Sequence, residues 1–234
     1  MVFLQLSTIR IIQVYIAQGS MCLMFVILTY VCLRKNRKRP FIYFSLFFLS
    51  IAIGMFLNFI YAPLNDEKLV KVLNFLTNFF IAFSTIFLTI FCLSVYKQNK
   101  FGPFKQISII IIHGILIALS ILIPNAVEIS EATNWIPRWN IFFFLYILIL
   151  TLFLGLIPTI YYSLRIYSTL NDKELKKRWS FFITSIVLYY SAMYGTFLSN
   201  YLNNNIFRII IAITTVTLIL GGHYMIYYGV IKKL

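Results

Sequence analysis

The side chains best able to do chemistry in this sequence are amides and hydroxyls that recur through an otherwise apolar stretch. They are Asn74, Asn78, Thr85, Thr89, Cys92 and Tyr96, which follow one another at intervals of 4, 7, 4, 3 and 4 residues. Such intervals bring side chains onto a single face of an α-helix. The stripe therefore predicts either hydrogen bonds between helices or the wall of a binding pocket.

Several other polar residues are predicted at the same depth as the two asparagines. They are Gln13, Asn58, Tyr194, Asn200 and Arg208. We predict a ligand-binding site formed by Asn58, Asn74, Asn78, Thr85, Tyr194 and Arg208. Arg208 either extends to lipid headgroups, as long cationic side chains do at membrane surfaces, or meets an anionic group of the ligand.

The residue sets that support catalysis or metal binding are missing from the sequence. The acidic residues are Asp66, Glu67, Glu128, Glu131, Asp172 and Glu174, and all lie outside the apolar runs. No Ser-His-Asp set, paired carboxylate or phosphate-binding loop is present. His113 and His223 lack neighbouring carboxylates, and no CxxC occurs, so we predict no metal site. We expect a protein that is not an enzyme and carries no cofactor.

Composition places these residues in a membrane. The chain has 234 residues, 61% hydrophobic and 11% charged, whereas soluble domains are about half apolar and a quarter charged. Seven continuous apolar runs are each long enough to cross a bilayer. They span about 11–33, 41–62, 70–96, 106–123, 139–164, 179–201 and 206–230. We predict an all-α bundle of seven transmembrane helices that forms a single domain over residues 1–234.

The distribution of positive charge predicts the topology of these helices. Most Lys and Arg residues follow the first, third, fifth and seventh runs, so the positive-inside rule places the N-terminus outside and the C-terminus inside. The two strongest clusters, Arg34–Arg39 and Lys173–Arg178, are predicted to contact anionic lipid headgroups or a cytoplasmic protein. We therefore expect a multi-pass protein of a prokaryotic plasma membrane or an organellar membrane, and no nucleic-acid partner.

Two segments of the sequence resemble one another. "KRPFIYFSLFFLSIAIGMFLN" (38–58) is similar to "KRWSFFITSIVLYYSAMYGTFLS" (177–199), and "IAFST" in the third run is similar to "IAITT" in the seventh. Either apolar sequences match by chance here, or runs 1–3 repeat as runs 5–7 in the same orientation. Such a 3+1+3 arrangement occurs in some transporters.

Known seven-helix families supply further comparisons. Retinal proteins carry a lysine within the seventh helix, but here the lysines come after it, so a retinal Schiff base is not expected. The class A G-protein-coupled receptor motifs are also missing. "LRIYSTLNDKELKKRWSFFITSIVLYY" and "YMIYYGVIKK" resemble the fifth-to-sixth connection and the tyrosine-rich end of prokaryotic seven-helix sensor domains.

That resemblance implies a receptor-like sensor. A small or lipid-like ligand would bind in the outer half of the bundle, and a partner would receive the signal at the basic inner face. Two alternatives remain at this point: a small 3+1+3 transporter, and a non-catalytic subunit of a larger membrane complex.

Overall fold

The computed structural model describes residues 8–97 and 101–232. Within those ranges, seven helices are long and apolar enough to span a membrane. They are α1 Ile12–Lys35, α2 Arg39–Tyr61, α3 Glu67–Lys97, α4 Pro103–Leu122, α5 Ile141–Thr169, α6 Lys173–Leu202 and α7 Asn205–Ile231. The predicted all-α bundle of an integral, multi-pass membrane protein is therefore confirmed.

The two ends of the bundle differ in charge. Because the helices alternate in direction, the basic clusters at 34–39 and 173–178 lie at one end, which we call the basic side. The start of α1 lies at the opposite end, which we call the N-terminal side. The prediction that the basic side faces the cytoplasm rests on charge alone.

The connection between α5 and α6 is shorter than the apolar pattern predicts. Only residues 170–172 separate the two helices. The side chain of Asp172 accepts a hydrogen bond from the Leu175 backbone N–H and so caps α6 at its start. The basic cluster Lys173–Arg178 consequently occupies the first turns of a helix rather than a loop, because Lys and Glu are good helix formers.

The connection between α4 and α5 contains a small β-hairpin that the sequence does not predict. Strands β1 (Val127–Glu128) and β2 (Arg138–Trp139) pair antiparallel. Between them lies a 3₁₀ turn, Glu131–Thr133, which is closed by reciprocal hydrogen bonds between Ser130 and Thr133. We call residues 125–139 the hairpin loop. It lies on the N-terminal side.

The basic half of the bundle is filled by aromatic rings. We call Phe44, Phe48, Phe91, Trp179 and Phe182 the aromatic plug. Its ring centroids lie 4.7 Å apart for Phe44 and Phe91, and 5.5 Å apart for Phe91 and Phe182. Helices α1 and α7 also meet here, since the Lys35 ammonium donates a 2.9 Å hydrogen bond to the carbonyl of Ile231. Both features close the bundle towards the basic side.

The basic-side half of the α3 stripe packs against α5. Thr89 Oγ1 lies 2.9 Å from Thr159 Oγ1, and Cys92 Sγ lies 3.3 Å from Ser163 Oγ. Gly155 allows this close approach, because a Cβ atom added there would lie 2.8 Å from the Cβ of Thr85. In this half of α3, the polar side chains of the stripe form hydrogen bonds to a neighbouring helix.

The two similar segments make one equivalent contact. A Cβ atom built on Gly54 in α2 would lie 2.8 Å from Ile81 in α3, and one built on Gly195 in α6 would lie 3.3 Å from Ile211 in α7. Gly54 aligns with Gly195 in the first pair of similar segments, and Ile81 aligns with Ile211 in the second pair. Residues that correspond in sequence therefore also make corresponding glycine–isoleucine contacts in the structure.

Candidate functional site: a cavity on the N-terminal side

A cavity of about 830 Å³ lies between α1, α2, α3, α6 and α7 on the N-terminal side. Pockets that bind small molecules usually measure about 300–1,000 Å³. The hairpin loop contributes to its rim, and the cavity reaches the exposed residues Glu131, Asn134 and Asn205. It therefore opens at this end and stops above the aromatic plug.

The structure brings five of the six predicted site residues to this cavity. They are Asn58, Asn74, Asn78, Thr85 and Arg208, and Gln13 and Asn200 also line it. The N-terminal-side half of the α3 stripe thus faces a cavity, whereas its other half packs against α5. The two interpretations of the stripe apply to different halves of one helix.

Tyr194 is the predicted site residue that the structure does not place in the cavity wall. Its ring packs against Tyr190 and Phe197, with centroids 5.8 and 6.2 Å apart. Both of these neighbours line the cavity, whereas Tyr194 does not. At about 100° per residue they lie within a fifth of a turn of Tyr194, so this tyrosine is adjacent to the wall without belonging to it.

The asparagines of the α3 wall are held by hydrogen bonds. The Asn74 amide donates to the Tyr61 hydroxyl at 2.9 Å, and the Asn78 amide donates to Asn74 Oδ1 at 3.0 Å. Thr77 is also part of the wall, and its buried hydroxyl has no hydrogen-bond partner among the described residues. Since buried hydroxyls normally have partners, Thr77 is suited to bind a ligand or water.

A π-helical segment forms the α1 wall. Residues Ile12–Gln18 adopt this wider turn, which presents Gln13, Ala17 and Gln18 to the cavity. The amide of Asn58 donates to Gln18 Oε1 across the α1–α2 interface. Short π-helical segments within α-helices often occur at functional sites. The wall is therefore locally irregular where it is most polar.

The floor of the cavity is aromatic and was not predicted. Phe25, Phe47, Tyr189 and Ile219 line it. Phe25 follows Gln18 by seven residues, so the two lie on the same face of α1. That spacing was an available signal, but apolar residues in a membrane helix face lipid as readily as a pocket.

Comparison of the chain with protein-family models, curated proteins and solved structures finds no match.

Two arginines at the cavity mouth hold the hairpin loop. Arg10, just before α1, donates to the carbonyls of Asn134 and Trp135 at 3.3 and 3.1 Å. Arg208, in the first turn of α7, donates to the carbonyl of Pro137 at 2.8 Å. Burial lowers the pKa of Arg10 below its usual value, but guanidinium groups remain charged in proteins.

The cavity is thus polar at its mouth and apolar at its floor. Charged lining residues are Arg10, Glu131 and Arg208, all at the mouth, and amide side chains lie below them. In the described part of the chain, no three His, Cys, Asp or Glu side chains come together. The arrangement is suited to recognising a ligand by charge, hydrogen bonds and apolar contact.

Proposed function

We propose that this protein is a receptor-like membrane sensor that binds a small or lipid-like ligand in the N-terminal-side cavity. The main observation that supports this proposal is the cavity itself, in which arginines and amides lie above an apolar floor. A few well-placed polar groups over apolar walls are typical of binding sites for small molecules.

The basic side of the bundle is closed beneath the cavity, as a binding site that opens at one end requires. The aromatic plug is buried, with Phe44, Phe48 and Phe182 each 0% exposed. Together with the Lys35 contact between α1 and α7, it leaves the cavity open at one end. A transporter also closes one end in each of its states, so the small 3+1+3 transporter remains the alternative that an experiment must separate.

Contacts beneath the floor support an output at the basic side. The Tyr189 hydroxyl lies 3.2 Å from His223 Nδ1, and the rings of Phe25 and His223 are 4.6 Å apart. His223 belongs to α7, whose end accepts a hydrogen bond from Lys35 of the 34–39 cluster. A ligand that moves Tyr189 or Phe25 would therefore act on α7, and through it on the basic residues proposed to meet a protein or anionic lipids.

Filling the cavity tests this proposal. Thr196 lines the cavity and is exposed to it, whereas Thr184 lies exposed on the basic half of the same helix, outside the cavity. We expect Thr196→Trp to weaken the binding of decanol and decyl phosphate about tenfold or more, and Thr184→Trp to leave it unchanged. Isothermal titration calorimetry on purified protein in a non-ionic detergent provides the affinities.

Two results would contradict the sensor proposal. Equal binding by both tryptophan variants would mean that the cavity is not the site. Entry of decyl phosphate into proteoliposomes faster than into protein-free vesicles would favour the transporter.

A further inference from the structure

We infer that the cavity selects an amphiphile with one anionic head, whose carboxylate or phosphate binds Arg208 while its apolar chain lies on the floor. This inference rests on the proposed function, since it names the ligand class of the same cavity.

Among the described residues, no acidic side chain pairs with the positive charge of Arg208. Its guanidinium is half-buried and donates to two neutral acceptors, the carbonyls of Ser199 at 3.2 Å and Pro137 at 2.8 Å. Within residues 8–97 and 101–232 it forms no ion pair. The positive charge of Arg138 also acts on it. A partly desolvated cation beside a like charge is stabilised by an anion.

The mouth of the cavity carries more basic than acidic side chains. Among the described residues, the charged ones that line it are Arg10, Arg208 and Glu131. Glu131 lies exposed at the rim, where water screens its charge. The mouth therefore carries a positive potential that attracts anions.

The apolar floor of the cavity limits the ligand to one charge at one end. Below the amides the cavity is lined by apolar and aromatic side chains, including Met21, Phe25, Phe47, Val216 and Ile219. A second charge placed there would lose its hydration without gaining a partner. An alkyl or isoprenoid chain gains free energy at the same position, because it buries apolar surface.

Binding of such a head affects the hairpin loop. A hydrogen bond from a guanidinium to an anion is roughly twice as strong as one to a neutral acceptor. The anionic head therefore competes with the carbonyl of Pro137 for Arg208. Occupation of the cavity would loosen the contact between α7 and the hairpin loop at Pro137.

Head-group comparison on the unmodified protein is the primary test. By calorimetry in a non-ionic detergent, we expect decyl phosphate and decanoate to bind about tenfold or more tightly than decanol, given the strength of hydrogen bonds to charged groups. Decyltrimethylammonium should bind more weakly than decanol. This comparison needs no variant and is independent of any folding defect.

Variants show which residue is responsible for the preference for anionic over neutral ligands. Arg208→Gln should reduce anion affinity to that of decanol, while decanol affinity changes less than twofold. Arg165→Gln is the matched control and should keep the preference, because Arg165 is exposed on α5 and lies outside both the cavity and the two basic clusters. If decanol binds as tightly as the anions, the inference fails but the proposed function stands. If neither class of ligand responds to Thr196→Trp, both fail.

A competition experiment distinguishes the two sources of the head group. Nanodiscs of phosphatidylcholine, with or without dipalmitoyl phosphatidate, carry the protein while decyl phosphate is titrated. Displacement by phosphatidate supports a membrane phospholipid as the ligand, and undiminished binding supports a single-chain acid. If decyl phosphate does not bind in the phosphatidylcholine discs at all, the inference is overturned.

Discussion

At the residue scale, Thr89 supplies a hydrogen-bond donor where the backbone of α5 loses one. Pro158 lacks an N–H, so a carbonyl one turn earlier loses its usual partner. The hydroxyl of Thr89 lies 3.2 Å from the carbonyl of Leu154 and 3.1 Å from that of Gly155. One side chain of α3 thereby stabilises an irregular turn of α5, which is π-helical over Leu152–Leu156.

We expect Thr89→Val to lower the free energy of unfolding by about 1 kcal/mol, because it removes the side-chain donor from the carbonyl of Leu154, which Pro158 leaves without an N–H partner. The cost should be smaller in a Pro158→Ala background, where the backbone N–H returns. Thermal denaturation in detergent measures the four proteins of this cycle. Thr214→Val, at an exposed position of α7, is the control, and equal costs in both backgrounds would refute the explanation.

Individual site residues were predictable where polarity itself was the signal. An asparagine in a membrane helix is costly against lipid, so the spacing of Asn74 and Asn78 sufficed to predict that they face the interior. Tyr194 lies outside the cavity wall, and its direction could not be predicted because a tyrosine hydroxyl is tolerated on several faces of a membrane helix. Tyr61 is the hydrogen-bond partner of Asn74. It could not be predicted as a site residue, since tyrosines also occur at membrane surfaces.

At the element scale, the contact between α2 and α3 sets the width of the cavity wall. A Cβ atom on Gly54 would lie 2.8 Å from Ile81 Cγ1 and 3.0 Å from the carbonyl oxygen of Thr77. Thr77 and Ile81 both line the cavity. A backbone oxygen cannot move aside as a side chain can, so this glycine fixes how closely the two helices approach.

We expect Gly54→Ala to destabilise the protein by about 1–3 kcal/mol, the usual cost of overpacking. Gly195→Ala should cost less, because its Cβ would meet only the flexible side chain of Ile211. Gly102→Ala is the control, since nothing lies within 4 Å of its Cβ position. Thermal denaturation should rank them in that order, and a neutral Gly54→Ala would mean that α2 can shift freely.

Helix number was predictable because each run exceeds the length that a bilayer demands, but helix ends were not. The end of an apolar run marks the bilayer edge, whereas a helix ends where its backbone groups find other partners. Asp172 and Asn204 therefore set the starts of α6 and α7. The two-residue strands of the hairpin loop are too short to produce an alternating pattern.

At the scale of the whole molecule, the two ends of the bundle differ. One end is tightly packed and basic, and the other contains the cavity. The charge pattern predicts an orientation in the membrane, whereas the cavity could not be derived from it. A cavity depends on α1 and α7 meeting near Lys35 and Ile231 yet bonding to the hairpin loop at their other ends through Arg10 and Arg208. The spacing of residues in the sequence does not indicate that the two helices meet at one end and contact the hairpin loop at the other.

We expect the N-terminal side to face outwards, because the basic clusters resist translocation. Ala132→Cys on the hairpin loop and Asn171→Cys between α5 and α6 are both exposed. In intact cells, a membrane-impermeant maleimide should label only the first, and both after lysis. The unmodified chain is the blank, as Cys22, Cys32 and Cys92 are buried. Labelling of Asn171→Cys in intact cells would reverse the orientation.

The position of the aromatic plug also decides where a membrane voltage acts. The polar mouth of the cavity opens on the N-terminal side and shares the electrical potential of that side, so most of the voltage falls across the apolar floor and the plug. Moving one charge through 100 mV is worth about 2.3 kcal/mol. An anion that stops at Arg208 crosses almost none of that field. Its affinity would therefore be the same in a polarised cell as in a resting vesicle.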